Sequence, residues 1–135
     1  MMFRRRASRM VIAALVVAGS LGAGTSAGAA TSSGTTDVSC DGTTVKNLNA
    51  VNKQTKGTYS NKINSATQSS TTSLSATSQN GNSLSFKSAS AGQTATWTDV
   101  AAGTYTGKAK RVGAKNCNGI GLGHGNYTIG YTITY

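Results

Sequence analysis

Tyr127-Thr128-Ile129-Gly130-Tyr131-Thr132-Ile133-Thr134-Tyr135 decides the fold class. Its odd positions carry Tyr, Ile, Tyr, Ile and Tyr, and its even positions carry Thr, Gly, Thr and Thr. An extended chain sends alternate side chains to opposite faces, so this period of two describes a strand with one apolar and one polar face. A helix would scatter the same residues around its circumference. Just upstream, Asn116-Cys-Asn-Gly-Ile-Gly-Leu-Gly-His-Gly-Asn126 is glycine-rich and reads as an inter-strand loop.

Working outward, Thr106–Val112 and Gln93–Thr98 are strand-like, the second carrying the sole tryptophan, Trp97. Ser73-Leu-Ser-Ala-Thr-Ser78 and Ser83-Leu-Ser-Phe-Lys-Ser88 form a quasi-repeat around Gln79-Asn-Gly-Asn82, the pattern of a β-hairpin. A two-residue Asn80-Gly81 turn would set Leu74 and Ala76 on the face opposite Leu84 and Phe86. A three-residue loop, 80–82, pairs Ala76 with Phe86 and keeps the apolar residues together, so the odd-length loop is expected. Residues 43–66 are compatible with two strands, or with one strand and a helical turn. Asp99-Val-Ala-Ala-Gly103-Thr-Tyr105 resembles the tyrosine corner, a turn leading into a strand that is common in immunoglobulin-like sandwiches. These readings give an all-β chain forming a small antiparallel β-sandwich, with an immunoglobulin-like arrangement as one candidate.

Composition agrees. After residue 29, Thr, Ser, Gly and Asn make up 56 of 106 residues. Ser, Thr and Asn compete with helical hydrogen bonding, and β-branched Thr favours strands. Residues 1–29 differ: arginines at 4, 5, 6 and 9 precede a short apolar run, and Ala27-Gly-Ala-Ala30 offers a small-residue cleavage site. This is the pattern of a bacterial secretory signal peptide, and the apolar run is too short for a permanent membrane span. Arg5-Arg6 leaves both general and twin-arginine export open. No lipid-anchor cysteine or wall-sorting signal follows, so a released, extracellular protein is expected. Residues 30–36 read as a flexible leader, and 37–135 as the single domain. Cys40 and Cys117 both fall in the exported part, where they form one disulfide most simply. Closing so long a loop is worth roughly 4 kcal/mol in the chain-entropy model.

The net charge of +10 overstates the exported part, where nine cationic residues oppose Asp37, Asp41 and Asp99 for +6. The excess reflects scarce acids: there is no Glu. With one histidine, His124, and no Gly-x-Ser-x-Gly elbow, a nucleophilic triad has little to draw on. Paired-carboxylate hydrolysis would need two of Asp37, Asp41 and Asp99, and the first two read better as turn residues. No metal-ligand spacing occurs. The expectation is therefore a non-enzymatic protein with no cofactor and no metal. Candidate binding residues are Lys108, Lys110, Arg111 and Lys115, clustered within eight positions, with His124 and Asn126 at the rim of the 113–126 loop. A cationic face attracts polyanions, and outside a bacterial cell those are anionic wall polymers rather than nucleic acid. The first functional reading is a secreted protein bound to anionic envelope polymers, without stable membrane insertion. The second is an inhibitor of an extracellular hydrolase, or a small toxin, presenting the 113–126 loop to a protein partner.

Overall fold

The computed structural model describes residues 29–135, so the expected signal peptide lies outside the described residues. Among the described residues there is no helix. Eight strands follow in order: β1 (Thr31–Ser39), β2 (Lys46–Lys53), β3 (Gly57–Ala66), β4 (Thr72–Ser78), β5 (Lys87–Ala89), β6 (Thr94–Val100), β7 (Gly103–Arg111) and β8 (Asn126–Thr134). They build two antiparallel four-stranded sheets, ordered β1-β8-β3-β6 and β2-β7-β4-β5. That order is a jelly roll, the double-sheet sandwich built from two Greek keys.

The strand quoted first is β8. Tyr127, Ile129, Tyr131 and Ile133 are buried, and Thr128, Gly130, Thr132 and Thr134 point away from the core. It lies in the interior of its sheet, between β1 and β3. Residues 43–66 supply two strands, β2 and β3, and no helical turn. Tyr59 of β3 sits amid the core aromatics, its ring centre 5.8 Å from that of Trp97 and 5.8 Å from that of Tyr105. Tilted aromatic packing of this kind adds to what area burial alone contributes. The Trp97 indole N–H donates to the Ser85 carbonyl at 2.8 Å, tying the β4–β5 connection to the opposite sheet. Three core tyrosines keep their hydroxyls bonded within the protein. Tyr127 meets Thr72 (2.7 Å), Tyr131 accepts from the Asn49 amide (3.0 Å), and Tyr105 donates to the Ala101 carbonyl (2.9 Å).

The last of these bonds is the tyrosine corner expected from Asp99–Tyr105. The immunoglobulin-like candidate does not hold with it. In that fold the first two strands share a sheet, whereas here β1 pairs with β8 and β2 lies in the opposite sheet. The corner is a local turn device, indifferent to which distant strands complete the sheets.

Two further expectations are corrected. Residues 31–36 are not a flexible leader: they belong to β1, paired with β8 from Thr31↔Thr134 to Ser39↔Asn126. The hairpin loop is odd-length but one residue earlier, 79–81, with Ser78 N–H bonded to the Asn82 carbonyl at 2.8 Å. Gly81 takes φ 89°, the left-handed conformation that glycine adopts without a Cβ penalty. The register then puts Leu84, not Phe86, against Ala76 (Leu84 N–H to Ala76 carbonyl, 2.8 Å). An irregular stretch follows before β5 pairs Lys87 with Leu74, and it leaves Phe86 46 % exposed.

Candidate functional site

Odd-to-even connections gather at one end of the sandwich, and the disulfide stands there. Cys40, fully buried, follows β1 and joins Cys117 in the β7–β8 loop, with Cα atoms 6.2 Å apart. The expected bridge is present. Next to it, the Asp41 carboxylate accepts from the backbone of Thr43 and Thr44, both at 2.8 Å, and from the Thr44 hydroxyl. The Thr44 hydroxyl foremost, then the two amides, hold its carboxyl well below the usual carboxylate range. Asp41 is a turn residue, as its position suggested, whereas Asp37, read the same way, lies within β1 opposite Thr128. Gly42 lies so close to Gly113 that a Cβ at 42 would stand 2.5 Å from the Gly113 carbonyl carbon.

The β7–β8 loop is a small pinned hairpin. Lys115 N–H donates to Cys40 (2.8 Å), Gly123 N–H to Lys115 (2.9 Å), and Cys117 N–H to His124 (3.0 Å). Asn116 and Asn118 cap its turn by accepting from Gly119 (2.8 Å) and Ile120 (3.0 Å). The β3–β4 loop braces it from the side. Gln68 donates to the Cys117 carbonyl (3.2 Å), and the Lys115 ammonium to the Ser69 carbonyl (2.8 Å). Arg111 donates to the carbonyls of Val112 (2.9 Å) and Gly113 (2.7 Å). At the tip of this braced hairpin stand Ile120 and Leu122, each 75 % exposed. Val45 and Val112, in the loops at the same end, are exposed as well.

The sequence-derived candidates therefore separate into three groups. Lys108 and Lys110 point outward from β7 on the face of the second sheet. There, the Lys108 ammonium donates to the Asn47 side-chain oxygen (2.7 Å), and that of Lys110 sits 4.7 Å from the Phe86 ring centre. Arg111 and Lys115 serve the loop end, where they hold backbone carbonyls. His124 and Asn126 are exposed on the hairpin's return arm. The sequence reading nominated this loop but singled out neither Ile120 nor Leu122. The missed signal was two large aliphatic residues in a glycine-asparagine stretch with no strand period to bury them.

The opposite end has a polar depression of about 230 Å³, lined by Gln79, Asn80, Asn82, Ala102 and Tyr105 among others. The Tyr105 hydroxyl at its wall is already committed to Ala101. Among the described residues, no three His, Cys, Asp or Glu side chains come close enough to hold a metal ion. No helix there is long and apolar enough to cross a membrane. No family model matches the chain, and no curated protein matches it.

Proposed function

We propose that this chain is an exported, non-enzymatic binding protein that seats its disulfide-anchored loop end on another extracellular protein. The observation that carries the reading is the exposure of Ile120 and Leu122 on a loop fastened by the disulfide, by its own hairpin bonds and by the β3–β4 loop. Isolated exposed aliphatics are ordinary, but two at the tip of one braced hairpin are the kind of exposed apolar surface that marks an interaction site. Burying each in a partner is worth about 1.5–3 kcal/mol. A loop ordered in advance also avoids much of the entropy that association usually costs. Glycines at 119, 121 and 123 leave the tip narrow, which suits insertion into a cleft. An extracellular hydrolase with an apolar cleft is the partner class these features favour. The leader-like residues 1–29 and the buried disulfide support an oxidising, external compartment.

The test is capture from culture supernatant with the tagged protein beside its Ile120→Ser/Leu122→Ser variant. Stoichiometric recovery of one hydrolase, inhibited by the parent and ignored by the variant, is expected. Equal recovery by both proteins, or recovery of no hydrolase by either, defeats the reading.

A second reading, adhesion to anionic wall polymer, has its own observation in Lys108 and Lys110, side by side on one sheet face. Asp37 lies on β1 in the other sheet and Asp41 in the β1–β2 turn, so neither carboxylate belongs to the strands of this face. Retention on purified cell wall that weakens with added salt, and weakens again in Lys108→Ser/Lys110→Ser, is its expected result. Salt-insensitive retention argues against it.

A further inference from the structure

A sandwich of two open sheets has four edge strands, here β1, β6, β2 and β5. Edge strands offer unpaired backbone groups, and proteins blunt them with shortness, lysine, bulges or a covering group. Three of these edges are blunted. β5 is three residues long and carries Lys87. The Lys87 ammonium crosses to the Thr96 carbonyl of β6 and lies 5.6 Å from the Trp97 ring centre, so it covers that edge too. β2 carries Lys46 and Lys53 at its ends and a register shift between Asn47 and Ala50.

β1 is different. It is nine residues long, pairs with β8 without a register shift, and has no Lys, Arg or Pro. Cys40 N–H bonds the Gly125 carbonyl across the ladder. By antiparallel alternation, even-numbered residues then turn their backbone groups to β8, and odd-numbered ones turn theirs outward. The outward set is Thr31, Ser33, Thr35, Asp37 and Ser39, of which the first four are exposed. The Asn49 side chain of β2 touches this edge: it donates to the Ser33 carbonyl at 3.1 Å and to the Ser32 hydroxyl at 2.9 Å, leaving the carbonyl's second lone pair.

We infer that β1 pairs antiparallel with β1 of a second copy, about a twofold axis at Thr35, joining two four-stranded sheets into one of eight strands. This axis sets outward residues against outward residues: Thr35 against Thr35, Ser33 against Asp37 and Thr31 against Ser39. Charge selects this edge for self-association. The domain is cationic, yet β1 brings no cation to the junction, and each Asp37 faces a serine hydroxyl rather than its own copy. Neighbouring Thr and Ser side chains across the junction make favourable cross-strand pairs. The pairing sends the two disulfide ends in opposite directions, so both remain open.

Sedimentation of the purified protein over a concentration series, together with hydrogen exchange at Thr35 and Asp37, tests the inference. The expected result is mass rising from monomer to dimer, with those two amides gaining protection in step. Thr35→Lys puts two ammonium groups at the axis and should weaken dimerisation at least about tenfold, since like charges face to face are costly. Thr35→Pro removes an N–H that faces away from β8, so it should also yield a folded monomer, checked by the near-ultraviolet signal of Trp97. A monomer at every concentration overturns the inference. So does a dimer that survives either substitution, or protection that appears only when an unrelated extended peptide is added.

Discussion

Asn61 points into the core from β3, fully buried, and neither its amide nitrogen nor its oxygen has a hydrogen-bond partner in the protein. The Tyr59 hydroxyl, two residues away on the same face, is buried and unpartnered as well. An unsatisfied buried group costs about 1–3 kcal/mol, and replacing it by an apolar side chain of similar shape removes that cost. Asn61→Val should therefore raise the unfolding temperature by a few degrees, as about 1 kcal/mol corresponds to 4–8 °C in a domain near this size. A thermal melt checks it; a fall would mean that the amide has a role the core needs. Tyr59 carries a pH signature. Burial first, and then the neighbouring Tyr131, push its ionisation above the ordinary tyrosine range. Burial raises that of Tyr127 too, outweighing the opposing effects of Thr72 and Arg111. A group whose folded pKa is raised keeps more protons folded than unfolded once the pH passes the unfolded value, about 10 for tyrosine. Stability should then fall as pH rises through and beyond 10, and Tyr59→Phe should make that fall shallower without loss at pH 7. Denaturant melts across the alkaline range measure both slopes.

At the level of elements, the disulfide anchors the end of β1 to the β7–β8 loop. Replacing both cysteines by serine should cost about 2–5 kcal/mol. The loss should be uneven, because the core strands keep their ladders while the hairpin from Lys115 to Gly125 keeps only its hydrogen bonds. Faster amide exchange at Gly119, Ile120 and Gly123 than in the core of β8 is the expected pattern. The hairpin of β4 and β5 shows how far local patterning reaches. Parity alone argued for an odd-length loop, which is present. It missed the one-residue offset, because the loop is positioned by Gly81 in its left-handed conformation and by the later irregularity before β5. β1 was illegible for a related reason. Its inward residues before Val38 are Ser32, Gly34 and Thr36, with the Tyr131 hydroxyl lying beneath Gly34, so one apolar residue in nine leaves no alternation to mark it as a strand.

For the whole molecule, connectivity sets the kinetics. Of the six strand pairings in the two sheets, β4 with β5 alone joins neighbours in sequence. Sheets closed by distant segments must lose loop entropy before their contacts form, and such topologies fold in milliseconds to seconds rather than microseconds. Stopped-flow refolding followed by Trp97 emission, with the disulfide intact, should show a main phase in that range. A microsecond phase carrying the whole amplitude would contradict the strand order.

What the sequence by itself determined is everything carried by spacing along the chain. This includes the faces of β8, the strand character of residues 93–98 and 106–112, the Tyr105 corner, the single disulfide and the glycine-rich loop between β7 and β8. Each depends on a residue and neighbours a few positions away, or on there being only two cysteines to join. The tertiary structure alone decided the jelly-roll order, the strand identity of residues 31–36 and the separation of Lys108 and Lys110 from the loop end. It also decided the placing of Ile120 and Leu122 at the tip of a braced hairpin. Those features depend on which distant segments meet, and pairing energies between strands are too alike for one strand's own residues to name its partner.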